Sequence, residues 1–198
     1  MITRLLKFWT DSILAGIMIA IGTIAYLNCP NRIVGAFLFS VGLITIMAFG
    51  LRLYTGFVGY VRSWADGLVA MICLLANGVG CSYIALIPTN GAQEIWNTKT
   101  EGSLVTAFLK GIICGIIIYL CVAQHKSFGA PTSTIITLIA IPAFILCGAE
   151  HSVADICFMF AAKNITVRGL IFIAVVAAGN AIGSLALSLW SEVKDKLR

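Results

Sequence analysis

Six long apolar runs divide the sequence and constrain its fold more than any other feature. A helix needs about 20 apolar residues to cross the hydrocarbon core of a bilayer, and the runs are near that length. Only 11% of the residues are charged and 60% are hydrophobic, whereas soluble domains carry about 25% charged residues. The sequence therefore predicts an all-α membrane protein with six transmembrane helices, built as a single domain over residues 1–198. The runs cover residues 12–27, 33–54, 68–87, 104–123, 132–160 and 169–190.

Charge and cysteine content argue against several other classes of protein. The net charge is +5, but the basic residues are scattered or lie at the chain ends, so we expect no nucleic-acid partner. The seven cysteines lack C-x-x-C spacing and nearly all lie in apolar runs. This pattern predicts small buried side chains, with no disulfide framework, metal or cofactor. The first run continues to Leu27, so we expect a retained helix rather than a cleaved signal peptide.

The second and fifth runs are interrupted by polar residues and glycine. The second continues into "RLYTG", where Arg52 and Gly56 break the apolar pattern. The fifth contains "CGAEHSVAD", residues 147–155, with three titratable side chains at membrane depth. Such side chains are costly in a bilayer, and irregular backbone is tolerated there only inside protein or beside a cavity. The two interruptions therefore predict broken helices at a permeation site.

The positions of the two interruptions suggest an internal repeat. Each half of the chain contains three runs, and an odd number requires the second half to insert upside down, which gives an inverted 3+3 repeat. An N-x-x-G motif begins at Asn77 and again at Asn180, 103 residues later. At the same offset Arg52 matches Asp155, which suggests an ion pair between the two breaks. The halves cover about residues 1–90 and 100–198.

The distribution of lysine and arginine predicts the orientation. With the N-terminus inside, seven of these residues lie on the cytoplasmic side and four on the outer side. Positive charge favours the cytoplasmic side of a membrane. We therefore expect a multi-pass protein of the cell membrane with both termini in the cytoplasm, and with the long loop "IPTNGAQEIWNTKTEG" outside.

His151 is the strongest candidate for chemistry because it is the only histidine in a predicted span. Its ordinary pKa near 6.5 allows it to change charge near neutral pH, and a neutral imidazole can still donate a hydrogen bond to an anion. Glu150 would end the helix by accepting backbone N–H groups, or would orient His151. Asp155 lies four residues after His151, on the same face of a resumed helix.

Two further polar residues have both a functional and a structural interpretation. The Thr55 hydroxyl at the first break could bind a small polar solute, or could only cap the resumed helix. Lys110 at an end of the fourth run could draw anions into a vestibule, or could only extend to the headgroups. His125 lies in the predicted loop "AQHKSFGAP", where we expect it to be solvated.

An enzyme is one alternative that the residues of the fifth run bring up. "CGAEH" resembles the inverted zinc signature H-x-x-E-H with its first histidine replaced by Cys147. However, His125 is the only other histidine in the chain, so a third ligand is hard to find. We therefore expect no catalytic or metal site.

The interrupted runs also resemble a known family. "GAEHSVAD" resembles the G-x-E-H-S-x-A-N stretch of the formate/nitrite transporter family, and "LRLYTG" resembles its E-L-F-T-G break. "FLKGIICG" and "AAGNAIGS" resemble its helix-four and helix-six motifs. The resemblance implies an aquaporin-like homopentamer with one pore per protomer. It also implies passage of small monovalent anions of weak acids, such as formate, nitrite, hydrosulfide, acetate or lactate, or of their conjugate acids with protons.

The resemblance also implies roles for individual residues. His151 matches the central pore histidine, and Thr55 matches the threonine that faces it. Lys110 matches a basic residue of the family, and Asn180 matches the asparagine of its sixth helix. Two apolar constrictions would exclude bare anions. Their positions are matched by Phe39, Leu43 and Phe144 in one, and by Leu53, Tyr54 and Ile118 in the other.

Four positions depart from the family pattern. Arg52 replaces a glutamate, and Phe57, Gly115 and Asp155 replace asparagines. The predicted function is a passive or proton-coupled channel for weak-acid anions. The departures keep two alternatives open, namely a transport-inactive structural or regulatory protein on the same fold, and a channel for a neutral solute such as water, ammonia or urea.

Overall fold

The computed structural model describes residues 2–197, and the described chain is helical, without strands. Short 3-10 turns at Val58–Tyr60 and Ser82–Leu86 follow the third and fourth helices. The prediction of an all-α protein is therefore confirmed. The helices are α1 (Ile2–Asn28), α2 (Arg32–Phe49), α3 (Tyr54–Phe57), α4 (Trp64–Cys81), α5 (Ala92–Glu101), α6 (Leu104–Phe128), α7 (Ala130–Leu146), α8 (Ser152–Ala161) and α9 (Val167–Lys196).

Five of these helices are long and apolar enough to cross a membrane alone, namely α1, α2, α4 with its 3-10 extension, α6 and α9. The predicted fifth span is instead two consecutive apolar helices, α7 with 17 residues and α8 with 10. The second span is broken as well, because α2 ends at Phe49 and α3 begins at Tyr54. The structure is therefore compatible with six passages, of which the second and fifth are broken as predicted.

The two halves of the chain use the same close helix packing. A Cβ added at Gly80 of α4 would lie 2.1 Å from the Ile13 carbonyl oxygen of α1. A Cβ added at Gly183 of α9 would lie 2.1 Å from the Ile112 carbonyl oxygen of α6. Any side chain at these two positions would collide with backbone, so the N-x-x-G glycines allow α1 to contact α4 and α6 to contact α9 directly. This correspondence supports the predicted 3+3 repeat.

Gly115 belongs to the same packing arrangement and is not a pore position that has lost a polar group. A Cβ there would lie 2.2 Å from the Asn180 carbonyl oxygen, just as a Cβ at Gly16 would lie 2.0 Å from the Asn77 carbonyl oxygen. An asparagine at 115 would therefore not fit between α6 and α9. The sequence motif alone did not reveal this constraint, because it arises from a helix 65 residues away.

The predicted outer loop contains a helix, α5, that is anchored to the second half of the molecule. Trp96 is fully buried, donates from Nε1 to the Asn164 carbonyl at 2.9 Å and packs edge-on against Phe172. Arg168 donates to the carbonyls of Thr100 at 2.9 Å and Gly102 at 2.8 Å. These contacts fix α5 against the end of α8 and the start of α9.

Candidate functional site

The two helix breaks are built alike. After α2, Gly50 adopts a left-handed conformation with φ of 62°, and after α7, Gly148 does so with φ of 74°. This backbone region is nearly strain-free only for glycine, so each helix ends sharply and the chain continues extended. The second glycine lies 98 residues after the first, and the broken ends of the two halves meet inside the molecule.

Two buried asparagines complete the breaks with identical hydrogen bonds. Asn77 accepts from the Tyr54 N–H at 2.9 Å and donates to the carbonyls of Arg52 at 2.9 Å and Ser12 at 2.7 Å. It thereby satisfies backbone groups at a helix start that has no side-chain cap of its own.

Asn180 does the same in the second half. It accepts from the Ser152 N–H at 2.9 Å and donates to the carbonyls of Glu150 and Gly111, each at 2.9 Å. The structural counterpart of Arg52 is therefore Glu150, 98 residues later, and not Asp155. The offset of 103 holds for the asparagines but not for the breaks, because the intervening segments differ in length.

His151 and Thr55 meet at the centre of this arrangement, and both are buried. His151 Nε2 lies 2.9 Å from Thr55 Oγ1, while His151 Nδ1 accepts the Ala154 N–H at 3.0 Å and so caps α8. Because Nδ1 is an acceptor, the neutral ring carries its proton on Nε2 and donates to Thr55. The Thr55 hydroxyl proton is thereby free to point elsewhere.

Aromatic residues surround the histidine on one side. The Phe39 and Phe144 rings are edge-on with centroids 6.3 Å apart, and the Phe144 and His151 ring centroids are 6.4 Å apart. Of the other predicted constriction residues, Leu43 and Leu53 are buried beside a cavity. The remaining two, Tyr54 and Ile118, are buried but line neither cavity described below.

The orientation of Tyr54 explains why its side chain is absent from the cavity walls. Its hydroxyl donates to the Ala177 carbonyl of α9 at 3.0 Å. The ring therefore points from the first break toward the second half of the molecule and ties the two together.

Two cavities approach this centre. The first, which we call the Lys99 vestibule, has a volume of about 510 Å³ and is lined by His151, both phenylalanines, Lys99, Lys110 and Asp155, among others. The second, the Arg52 vestibule, has a volume of about 410 Å³ and is lined by Arg52, Leu43, Leu53, Gly56, His125 and Lys126, among others. The Lys99 vestibule mixes acidic and basic side chains, whereas the charged residues that line the Arg52 vestibule, Arg52 and Lys126, are both basic.

Asp155 does not pair with Arg52, contrary to the suggestion from the repeat offset. Among residues 2–197, Asp155 forms its ion pair with Lys99 of α5, at 3.0 Å between Nζ and Oδ1. The same ammonium forms an ion pair with Glu150. Arg52 instead lies over the Phe8 ring, 5.4 Å from its centroid, and 6.0 Å from that of Phe57.

Lys99 is a site residue that the sequence pattern did not indicate. It belongs to the predicted outer loop, yet its side chain is 18% exposed and reaches across to the second break. A signal was available, because Lys99 follows Trp96 by three residues and thus lies on the same face of α5. Burial lowers the pKa of Lys99, but the Asp155 and Glu150 carboxylates outweigh this effect and hold the pKa above its ordinary value. Lys99 therefore stays charged throughout the neutral range.

The remaining predicted residues are placed as follows. Lys110 is half-buried, and its ammonium lies beside Gly148 of the second break. The distance is 3.7 Å from Nζ to the position that a Cβ on Gly148 would occupy. His125 is not simply solvated, because it lies in α6, half-buried, with Nδ1 2.8 Å from Ser133 Oγ. Gly56 faces Val122, and a Cβ there would lie 3.2 Å from Val122 Cγ2.

Solved structures of channels share this fold. A structure described as an FNT family ion channel superposes with a TM-score of 0.83 at 22% identity, covering 96% of this chain and 91% of that chain. A structure described as a pentameric formate channel with formate bound superposes with a TM-score of 0.82 at 19% identity, covering 99% of both chains. At these identities the similarity establishes the fold alone.

Sequence comparison identifies the family. A formate channel FocA from Haemophilus influenzae is 27% identical over an alignment of 149 positions, and the alignment covers 63% of this chain and 52% of that protein. The match thus spans about half the length of this curated relative. The model of the formate/nitrite transporter family matches residues 1–191. Because that match includes nearly the whole sequence, this multi-pass membrane protein belongs to the formate/nitrite transporter family, whose members are transport proteins rather than enzymes.

Proposed function

We propose that this chain is a channel for small monovalent weak-acid anions, such as formate, nitrite or hydrosulfide. The observation that carries the proposal is the His151–Thr55 contact, which lies where the two broken helices meet and where the Lys99 vestibule ends. A protonatable ring and a hydroxyl there could hydrogen-bond a solute in a site otherwise surrounded by apolar side chains.

The proposed mechanism neutralises the anion before it crosses the apolar region. A bare anion between Phe39, Leu43 and Phe144 would lose its hydration at a large cost in free energy. Lys110 would first concentrate the anion in the Lys99 vestibule by electrostatic attraction. A proton would then neutralise it, and His151 Nε2–H and the Thr55 hydroxyl would provide hydrogen bonds as the neutral acid passes. The second apolar barrier would be formed by Leu53, supported by Tyr54 and Ile118.

The break residues would act mainly by holding this geometry. Asn180 would fix the second break, as Asn77 fixes the first, and Glu150 would fix the position of Lys99 beside the pore. Gly56 would keep the chain close to α6, where a larger side chain would meet Val122.

We further propose that residues 1–198 form one channel domain that assembles as a homopentamer in the cytoplasmic membrane, each protomer with its own pore. The solved structure described as a pentameric formate channel supports this assembly. The excess of lysine and arginine on the side of the termini supports a cytoplasmic location for both ends. In this orientation the Lys99 vestibule faces outward and the Arg52 vestibule faces the cytoplasm.

The test is flux through the purified protein in liposomes of phosphatidylethanolamine and phosphatidylglycerol. Formate, nitrite and hydrosulfide uptake would be measured between pH 5 and 8, and we expect passive flux that increases as the pH falls. His151→Asn should lower the flux by about tenfold, because a lost buried hydrogen bond to the passing acid costs about 1–3 kcal/mol. Lys163→Gln, which removes an exposed cation away from both vestibules, should transport like the wild type.

Three results would contradict the proposal. Unchanged flux in His151→Asn would exclude a role for the histidine, and a conductance independent of pH would exclude protonation. No flux of any weak acid through correctly assembled oligomers would favour a structural or regulatory protein. Osmotic swelling with water, ammonia or urea in the same liposomes would identify a neutral-solute channel.

A further inference from the structure

Two buried carboxyls and one half-buried ammonium form a cluster that lines the Lys99 vestibule, and their charges do not balance. Lys99 Nζ forms ion pairs with both Glu150 and Asp155, and the two carboxyls are 6% and 1% exposed as residues. With all three groups ionised, the cluster would carry one net negative charge away from bulk water. A buried charge without a partner is strongly unfavourable. Lys99 also pairs with Glu150, so a proton on Asp155 would leave one carboxylate paired with one ammonium and would remove the net charge.

Asp155 is the carboxyl whose negative charge is less well stabilised, because only one of its two oxygens has a partner in the described part of the chain. Its Oδ2 atom is buried and has no hydrogen-bond partner among residues 2–197. Asp155 lies in the first turn of α8, where free backbone N–H groups normally stabilise an anion. Here three of the four N–H groups of that turn are occupied, because the Ser152 N–H donates to Asn180, the Ala154 N–H to His151 Nδ1, and the Asp155 N–H to the His151 carbonyl.

The neighbouring groups are less suited than Asp155 to hold this proton. His151 Nδ1 accepts a backbone N–H, so a second proton on the ring would break the cap of α8. Glu150 is the more exposed of the two carboxyls and contacts the same ammonium. The titratable and charged groups that face this region are Glu94 and Lys99 of α5, Lys110 and Cys114 of α6, Cys81 of α4, Tyr26 of α1, Arg32 of α2, and Glu150 and His151 of the second break.

We propose that Asp155 holds a proton on Oδ2 and is the proton donor of the Lys99 vestibule. Asp155 lines this cavity together with Lys110, which has no ion-pair partner among the described residues and so remains available to hold an anion. The donor and the anion site therefore share one cavity next to His151. This assignment concerns Asp155 itself, and only the transfer step below rests on the proposed transport function.

The transfer step is a simple proton exchange. An anion of a weak acid held near Lys110 accepts the proton from Asp155 Oδ2. The O–H bond of the carboxyl breaks and an O–H or S–H bond forms on the anion. The neutral acid then moves on toward Phe39 and Phe144, while Asp155 is left as a carboxylate beside Lys99. A hydronium ion from the solution that fills the vestibule returns the proton, so no other reactant is required.

Infrared spectroscopy tests the protonation without any transport. The purified oligomer at pH 7 should show the carbonyl stretch of a protonated carboxyl, which is separate from the bands of carboxylates. Labelling with ¹³C-aspartate should shift this band, and Asp155→Asn should remove it. Glu150→Gln should keep it. Absence of the band would overturn the proposal, as would a band that responds to Glu150→Gln and not to Asp155→Asn or to labelled aspartate.

Flux measurements test the transfer step. In Asp155→Asn, formate uptake should fall by about tenfold or more at pH 7, the order expected for a lost proton donor, and the deficit should shrink toward pH 5 as solution protons replace the donor. Equal loss at every pH would indicate a purely structural role and would contradict the step. No wild-type flux combined with an aspartate band would refute the channel function but leave the protonated Asp155 in place.

Discussion

At the first helix break the Arg52 carbonyl accepts a hydrogen bond from Asn77, and at the second the Glu150 carbonyl accepts one from Asn180. Equivalent asparagine hydrogen bonds therefore support the backbone at both breaks. The side chains at these equivalent positions carry opposite charge. Arg52 faces a vestibule whose charged residues are all basic, whereas Glu150 belongs to a mixed cluster with Lys99.

This contrast shows how a symmetric scaffold can hold an asymmetric pore. The asparagines and glycines hold the backbone, and the asparagine amides bond to main-chain atoms at each break. The charges at positions 52 and 150 are consequently free to differ without disturbing the breaks. The backbone support is therefore equivalent at the two breaks, but the electrostatic field that a solute meets differs between the two vestibules.

The largest effect should come from removing the shared support. Asn77→Ala and Asn180→Ala each remove three hydrogen bonds. The carbonyls of Ser12 and Gly111 keep their partners inside α1 and α6, but one buried N–H and the carbonyl of residue 52 or 150 lose the asparagine amide. Each such group costs about 1–3 kcal/mol, so each variant should lose about 2–6 kcal/mol of stability. Thermal unfolding of the detergent-solubilised protein, monitored by intrinsic fluorescence, measures the loss.

The comparison of the breaks requires that the two variants behave alike. A clearly larger loss for one asparagine would show that the two supports are not equivalent. Asn164→Ala, which removes an amide contact with Asn97 at the edge of α5, is a suitable control and should cost about 1 kcal/mol or less.

The charge cluster at the second break should give the next largest effect. Lys99→Met leaves two carboxyls without their cation, and breaking a buried ion pair costs about 3–5 kcal/mol. The lower end is expected, because the Lys99 side chain is 18% exposed. Lys163→Met, at an exposed position, should change stability by less than about 0.5 kcal/mol. A small effect of Lys99→Met would show that the cluster does not stabilise the second break.

The sign of the pKa shift adds a pH test to this prediction. The pKa of Lys99 is higher in the folded protein than in the unfolded chain. Its contribution is therefore complete below the unfolded pKa and declines only as the pH rises through the folded value. The contribution of Lys99 is the difference in melting temperature between the wild type and Lys99→Met. Measured by the same fluorescence assay, this difference should not decrease between pH 6 and 9 because of Lys99.

The smallest effect on stability should come from the first break. Arg52→Glu inserts the residue that the family resemblance expects and reverses the charge in the Arg52 vestibule. The contacts with Phe8 and Phe57 contribute about 0.5–1 kcal/mol at an exposed site, so the protein should fold normally. Anion flux should fall several-fold at low ionic strength and approach the wild type at high salt, because screening removes the field.

Flux in liposomes at about 0.01 M and 0.5 M salt measures this effect, with Arg52→Gln as the variant of intermediate charge. If Arg52→Glu and Arg52→Gln reduce flux equally at both salt concentrations, the field of the vestibule is not the cause. The difference between the two vestibules would then have no consequence for transport.

Local features of the sequence predicted the helical class, both breaks and the residues of the central contact. His151 and Thr55 stood out because polar groups are rare in apolar runs, and the structure brings them within hydrogen-bond distance. The repeat was detectable through the two N-x-x-G motifs. Its exact register was not, because loops of unequal length shift the offset from 103 at the asparagines to 98 at the breaks.

Contacts between distant segments could not be predicted in this way. Nothing near Lys99 in the sequence indicates that its ammonium reaches carboxyls 51 and 56 residues later, since only the packing of α5 against α8 brings them together. Likewise, the lack of space at Gly115 depends on the Asn180 backbone. The sequence by itself determined where the chain crosses the membrane and where its helices break, because hydrophobicity and backbone preference are local properties. Tertiary structure alone decided which charges meet beside the pore, because ion pairing depends on distance in space.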